Sequence, residues 1–189
     1  MDYVTTGGIG HPLSVALPTG YVWEQPWVVN KAGFAFHNWY GFGKIDVDKA
    51  VALAKAYTSS LGTYTETHWA DSSSDVPKNI PDYTASGVTS TLNVASSVKI
   101  EAVRLKLSVT HADVSELAVE LTSPQGTKSI LVNMRNSLTG VSNYVADIFL
   151  SNAFYQENSA GTWTLRVIDG KMGNTGTVTA WSLDFAGGT

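Results

Sequence analysis

The sequence contains no cysteine, and only 15% of its 189 residues are charged. The lack of cysteine excludes disulfide bonds, thiolate metal sites and a cysteine nucleophile, although it does not decide the cellular compartment. The formal net charge of −4 excludes the basic surface typical of a nucleic-acid-binding protein, and it argues against a polybasic membrane-surface module. No apolar run approaches the roughly 18 residues of a membrane-spanning helix. We therefore expect neither nucleic acid nor membrane as a partner.

The residues from about 82 onward alternate between apolar and polar side chains. Val103, Leu105 and Leu107 begin this pattern, and further alternating segments follow, separated by turns rich in Gly, Asn and Pro. Short alternating strands without intervening helices are typical of two packed antiparallel sheets. The sequence therefore predicts an all-β fold, a jelly-roll-like antiparallel β-sandwich over 82–189, with Trp163 and Trp181 in its core.

The residues before the sandwich have a different character. Residues 1–60 are irregular and aromatic, except for apolar residues at helical spacing that predict one short α-helix over 46–60. Asp46 is a suitable N-cap, and Gly62 follows as a stop signal. Such a short helix is unstable alone, so its apolar face must dock on another surface. Residues 61–81 are rich in Thr, Ser and Asp, which predicts a linker or a surface-wrapping segment.

Two groups of motifs in the predicted sandwich resemble one known family. Residues 117–127 follow the pattern L-x-[VI]-x-L-x-S-P-x-G-T, and His111 lies between the preceding predicted strand and this pattern. The pattern G-x-W-x-L-x-V-x-D, a short loop, G-x-[LIV] and W-x-L are found at 161–169, 174–178 and 181–185. Together these motifs resemble the P domain, or Homo B domain, of proprotein convertases, and the resemblance covers 82–187.

The N-terminal part carries an independent resemblance. Residues 27–33 and 36–46, which include Y-G-F-G-x-[VIL]-D, are similar to the end of a kexin-type subtilase domain. The chain is thus identified as a C-terminal fragment of a secreted subtilisin-like serine protease of the kexin/furin type, bacterial and extracellular or periplasmic. Residues 1–60 are then a remnant of the catalytic domain, which we expect to be partly disordered, rearranged or wrapped on the P domain. The first eight residues lack the regions of a signal peptide, so either the protein is cytoplasmic or Met1 lies inside a longer precursor. The resemblance favours the second interpretation.

The catalytic motifs of this family are absent from the sequence. D-[ST]-G, H-G-T and G-T-S-x-[AS] do not occur, and the histidines lie in unrelated contexts: His11, His37, His68 and His111. A catalytic triad needs a base in hydrogen-bond reach of its nucleophile. We therefore predict that the chain alone is inactive, while its parent is a serine endopeptidase. His37 is interpreted as a structural residue packed among Phe34, Phe36 and Trp39.

The resemblance also raises the question of calcium, because convertase-like proteases commonly bind it. Asp113, Glu116 and Asp147 are the candidate calcium ligands, if they meet at one end of the sandwich. No contiguous D-x-D-x-D-G loop is present. His111 is interpreted as closing the turn after the 103–109 strand, with metal ligation or pH sensing as alternatives. Asp169 is expected to accept backbone N–H bonds in the 169–176 loop.

Two functions remain open at this point. The resemblance implies a module that stabilises the catalytic subtilase domain in cis and regulates its dependence on pH and calcium. The alternative is an accessory module that recruits a protein substrate such as collagen, or attaches to a surface. Aromatic residues available to such a binding surface are Tyr83, Tyr144, Phe154 and Tyr155.

Overall fold

The computed structural model describes residues 18–22, 25–57, 62–135 and 138–189. The prediction of an all-β sandwich preceded by one short helix is confirmed. The elements before the sandwich proper are β1 (Val28–Val29), β2 (Ala35–Phe36), α1 (Val47–Ala56), β3 (Tyr64–Glu66), β4 (Asp71–Ser72) and β5 (Lys78–Ile80). The strands that follow are β6 (Val88–Val94), β7 (Lys99–Thr110), β8 (Leu117–Thr122), β9 (Lys128–Val132), β10 (Tyr144–Ser151), β11 (Gly161–Asp169) and β12 (Gly176–Gly188).

Two antiparallel sheets enclose the core. One has the order β10-β7-β12-β3, with β4 and β5 also paired to β12, and the other has the order β6-β11-β8-β9. The inward residues of β7 and β11 are almost completely buried, as their alternation predicts. Trp163 and Trp181 are both in the core, and each indole N–H has a partner, the Ser159 carbonyl and the Ser90 hydroxyl respectively, both at 2.8 Å.

The segment predicted to be a linker is part of a sheet. Strands β3, β4 and β5 pair in turn with successive parts of β12, opposite the edge that β12 shares with β7. The polar composition of 61–81 suits this position, because backbone hydrogen bonds to β12 hold the strands. Most of their side chains stay at least partly exposed, whereas Ile80 of β5 is buried in the core. The surface-wrapping interpretation therefore describes the segment better than a free linker does.

The helix begins where the sequence predicts it. The Asp46 carboxylate accepts a hydrogen bond from the Lys49 amide at 3.0 Å, which caps the first turn. The helix ends at Ala56. The last residues of the predicted 46–60 helix, from 58 onward, lie outside the described residues, as do 1–17 and Trp23. None of the α1 residues is buried. Within the described ranges, no helix has the length and apolar character required to cross a bilayer.

Candidate functional site

The β1–β2 hairpin is fastened to the sandwich by Asn30. Its side chain is 3% exposed, and its amide nitrogen donates to the carbonyls of Ala153 at 3.0 Å and Tyr155 at 2.8 Å. Its amide oxygen accepts from the backbone N–H groups of Ala32 at 3.1 Å and Phe34 at 2.9 Å. One side chain therefore shapes the hairpin turn and also anchors that turn on the loop before β11.

Glu157 makes the second attachment. It is buried, and its Oε1 accepts from the Lys31 amide at 2.9 Å and from the Thr127 hydroxyl. Thr127 lies in the S-P-x-G-T turn between β8 and β9. The hairpin, the β8–β9 turn and the loop before β11 thus meet at one carboxylate.

Aromatic rings complete this contact. Phe34 and Phe42 both meet the ring of Tyr155 edge-on, with centroid distances of 4.9 and 5.5 Å. Such edge-to-face pairs contribute about 0.5–1.5 kcal/mol beyond the area they bury. We call Asn30, Phe34, Phe42, Tyr155 and Glu157 the docking seam. Its existence agrees with the expectation that part of 1–60 is wrapped on the P domain.

His37 lies in the same hairpin and is structural. It is buried, with its ring 5.3 Å from Trp27 and 4.9 Å from Tyr40. Its Nδ1 accepts from the Trp39 amide at 3.1 Å. The ring therefore packs within the aromatic turn, but its ring partners are Trp27 and Tyr40 instead of the expected Phe34 and Phe36.

A band of apolar side chains next to the docking seam is exposed. Its members are between 48% and 77% exposed, and several lie on or beside α1: Trp39, Tyr40, Ile45, Val47, Val51, Leu53 and Tyr57. We call this set the uncovered apolar band. Large exposed apolar side chains concentrated in one segment are a candidate interaction surface. The apolar face of the predicted helix thus remains without a docking surface among the described residues.

A second cluster of interest lies at one end of the sandwich. His111 follows β7, Glu116 ends the 3-10 turn Val114–Glu116, and Asp169 ends β11. All three are buried, and one ligand atom from each lies within 4.8 Å of the others. The His111 Nε2 is 3.3 Å from Asp169 Oδ2, and the His111 Nδ1 is 2.8 Å from the Asp113 carbonyl.

A short loop after β11 closes over this cluster. The Lys171 ammonium contacts Glu116 Oε1, and the Asn174 amide donates to Glu116 Oε2 at 2.9 Å. Asp169 Oδ1 accepts from the Lys171 amide at 3.0 Å, which is the local role predicted for Asp169. A Cβ at Gly170 would lie 2.1 Å from the Met134 sulfur, so a larger residue there would require the Met134 side chain to move.

The charged groups of this cluster shift one another's pKa values. Burial opposes the charged form of His111, but the hydrogen bond to Asp169 and its negative charge raise the pKa of His111 above its ordinary value. The hydrogen bond and charge of Glu116 raise the pKa of Lys171. Hydrogen bonds from the Ser115 hydroxyl and amide lower the pKa of Asp113.

Of the predicted calcium ligands, Asp113 and Glu116 line the same depression, whereas Asp147 lies on β10 and is not among its lining residues. Asp113 caps the 3-10 turn, with its Oδ1 accepting from the Ser115 amide at 3.0 Å and hydroxyl at 2.7 Å. Asp147 lies on β10 opposite Leu107, and its Oδ2 accepts from the Val145 amide at 2.7 Å. In the part of the chain that the structure describes, Glu116 clusters with His111 and Asp169. Calcium binding by Asp113, Glu116 and Asp147 stays a prediction.

The four aromatic residues considered for a binding surface are placed differently. Tyr144 and Phe154 are buried in the core, and Tyr155 belongs to the docking seam. Tyr83 is half-buried. The accessory-binding alternative therefore cannot use Tyr144 or Phe154 as contact residues.

Comparison with known proteins identifies the sandwich. The profile of the proprotein convertase P domain matches residues 100–185. This range runs from the start of β7 almost to the end of β12, and it includes the whole His111 cluster and Glu157 of the seam. The chain therefore contains a P domain of the subtilisin-like serine protease family, the non-catalytic module of those enzymes.

Individual relatives agree with this assignment. Over 158 residues the chain is 37% identical to the Aeromonas extracellular serine protease of Aeromonas sobria, covering 77% of this chain and 25% of that protein. Human proprotein convertase subtilisin/kexin type 4 is 27% identical over 185 residues, covering 96% of this chain and 24% of the relative. The crystal structure of the serine protease of Aeromonas sobria superposes with a TM-score of 0.77 at 31% identity, covering 87% of this chain and 34% of the other. The chain thus spans about a quarter of the length of these relatives' sequences.

Proposed function

We propose that this chain stabilises the catalytic subtilase domain of the same polypeptide, in a secreted serine endopeptidase. The docking seam is the observation that carries the proposal. Residues 27–46 resemble the end of a subtilase domain, and Asn30 and Glu157 attach them to the P domain. Through this seam, the C-terminal end of the catalytic domain packs on the surface of the P domain.

The uncovered apolar band supplies the second support. Leu53, at 65% exposure, and its neighbours present surface that a catalytic domain is suited to cover. Burial of apolar surface contributes roughly 25 cal/mol per Å², so full burial of one leucine side chain contributes about 1.5–3 kcal/mol. The band follows the seam directly in sequence, so a domain docked on α1 is held next to the P domain.

Secretion and proteolysis belong to the same proposal. The relative from Aeromonas sobria bears the name extracellular serine protease, and the relatives are serine proteases or proprotein convertases. The present sequence has no catalytic motif, so peptide hydrolysis requires the rest of the parent polypeptide. The P domain then acts by stabilising that enzyme and by setting the position of its C-terminal segment.

The test uses one substitution in two contexts. Leu53→Ser is made both in this 189-residue chain and in the full protease polypeptide that carries it. In the chain alone the side chain is exposed, so the melting temperature (Tm) should change by less than about 2 °C. In the full protease the same change should lower the half-inactivation temperature by several degrees, because buried apolar area is lost.

Val145→Ser provides the matched control. Val145 is 79% exposed on β10, in a strand that takes no part in the docking seam. This variant should behave as wild type in both contexts. If Leu53→Ser leaves the full protease unchanged, α1 is not covered by the catalytic domain. If removal of residues 82–189 also leaves folding and half-inactivation temperature unchanged, the stabilising function is wrong.

A further inference from the structure

The buried His111 cluster brings together three ligand groups from separate parts of the chain. The three donors, one imidazole nitrogen and two carboxylate oxygens, lie within 4.8 Å of one another. Ligands at about 2.0–2.2 Å from a tetrahedral metal ion are separated by roughly 3.4 Å. Small side-chain adjustments are therefore enough to bring all three donors to one ion.

The orientation of the His111 ring is that of a metal ligand. Its Nδ1 is 2.8 Å from the Asp113 carbonyl but 3.2 Å from the Asp113 amide nitrogen, so the closer contact favours a proton on Nδ1. Nε2 then lies 3.3 Å from Asp169 Oδ2, a longer hydrogen bond than the roughly 2.7–2.9 Å of a strong charge-assisted one. Metal-binding histidines commonly donate their other ring N–H to a backbone carbonyl in this way.

The cluster contains two buried carboxylates, Glu116 and Asp169. Two buried carboxylates are expensive to desolvate unless positive charge compensates both. Lys171 compensates Glu116, and its side chain is 59% exposed and so is free to withdraw into solvent. Asp169 Oδ2 faces His111 Nε2 at 3.3 Å, and a cation bound between them would compensate the charge of Asp169 as well. An open depression of about 260 Å³ reaches Glu116, and Asp113, Arg135 and Lys171 also line it.

We propose that His111, Glu116 and Asp169 bind a divalent transition-metal ion, Zn²⁺ in particular, with Lys171 as its competitor. Binding places the ion between His111 Nε2 and the two carboxylates, and it moves the Lys171 ammonium away from Glu116. A nitrogen donor with two carboxylates suits Zn²⁺, whereas Ca²⁺ prefers six to eight oxygen ligands. Because three protein ligands leave the fourth position of a tetrahedral ion open, water or a loop group completes the shell.

The experiment titrates the chelator-treated 189-residue chain with Zn²⁺, Co²⁺ and Ca²⁺. An ion that binds only the folded chain stabilises it, so Zn²⁺ at 100 times its Kd should raise Tm by roughly 5–10 °C. Co²⁺ should give a visible absorption spectrum of a four- or five-coordinate site, at one ion per chain. Ca²⁺ should produce a much smaller shift than Zn²⁺ at equal concentration.

Three variants separate this site from adventitious binding. Lys171→Ala removes the competing ammonium, so it should bind Zn²⁺ about tenfold or more tightly than wild type. His111→Asn should lose the Co²⁺ spectrum and the Zn²⁺ shift. His68→Gln is the control, because the His68 side chain is 81% exposed and lies outside the cluster. It should bind as wild type does.

Two results would overturn the proposal. One is unchanged Zn²⁺ affinity in folded His111→Asn, which would place the ion elsewhere. The other is that neither wild type nor Lys171→Ala binds Zn²⁺ or Co²⁺, which would make the cluster a purely internal ion network. If His111→Asn does not fold, the comparison of Lys171→Ala with wild type tests the proposal. Equal Zn²⁺ affinities of these two proteins would contradict competition between Lys171 and the ion.

Discussion

Replacement of Asn30 by alanine tests whether the docking seam holds the hairpin to the P domain. The substitution removes four hydrogen bonds and leaves four backbone groups without their partner: two carbonyls of the 153–155 loop and two N–H groups of the hairpin turn. Each buried group left unpaired costs about 1–3 kcal/mol. Detachment of the hairpin lets water satisfy these groups, so the loss of docking free energy is limited to about 2–4 kcal/mol.

Hydrogen exchange followed by mass spectrometry or NMR measures this change locally. Because about 1.4 kcal/mol corresponds to a factor of ten, amides of the 28–43 hairpin should exchange roughly 30- to 900-fold faster in Asn30→Ala. Amides of β7 and β11 should keep their protection, since the sandwich core does not depend on the hairpin.

Asn38→Ala is the matched control for this measurement. Asn38 lies in the same segment, but it is exposed and donates one hydrogen bond, to the Ile130 carbonyl at 3.1 Å. Its replacement should change hairpin exchange by less than about fivefold. The reasoning is refuted if Asn30→Ala leaves hairpin exchange within twofold of wild type. It is equally refuted if β11 loses as much protection as the hairpin.

Three further predictions concern the core, the pH dependence and the catalytic status of the chain. Trp163→Ala should lower the free energy of unfolding, measured by urea denaturation, by about 3–5 kcal/mol, because the indole is completely buried 5.0 Å from the Phe154 ring. A loss below about 1 kcal/mol would contradict the core assignment. The Lys78 side chain and the Thr91 amide lower the pKa of Asp75, so its stabilising effect is complete above about pH 5 and is lost as pH falls through the lowered value. Asp75→Asn should therefore have a lower Tm than wild type at neutral pH and an equal Tm in strong acid, and a constant difference would show that charge is not the cause. The purified chain should not cleave fluorogenic peptides, and hydrolysis abolished by a serine-directed inhibitor would disprove this prediction.

The docking seam shows why some of the site could not be predicted. Asn30 and Glu157 are 127 positions apart, and neither belongs to a motif that suggests contact between the hairpin and the loop before β11. Asn30 stands in an irregular aromatic stretch, and Glu157 in a loop without periodicity. Two polar residues of this kind are found only when the hairpin is placed on the sandwich.

The edge strands illustrate a second limit. Strands β3, β4 and β5 have only two or three residues each, too few to show an alternating pattern. They form because β12, with 13 residues, offers free backbone groups along one side. Pairing of this type depends on the partner strand more than on the sequence of the short strand itself.

The sequence by itself determined the sandwich, the core positions of Trp163 and Trp181, the start of α1 at Asp46 and the relation to P domains. These features depend on local periodicity, on capping and on contiguous motifs, which are all properties of neighbouring residues. Only the tertiary structure joined His111 to Asp169, because β7 and β11 belong to different sheets and the two residues are 58 positions apart. It also decided that α1 keeps an exposed apolar face, since burial depends on which surfaces the folded chain brings together.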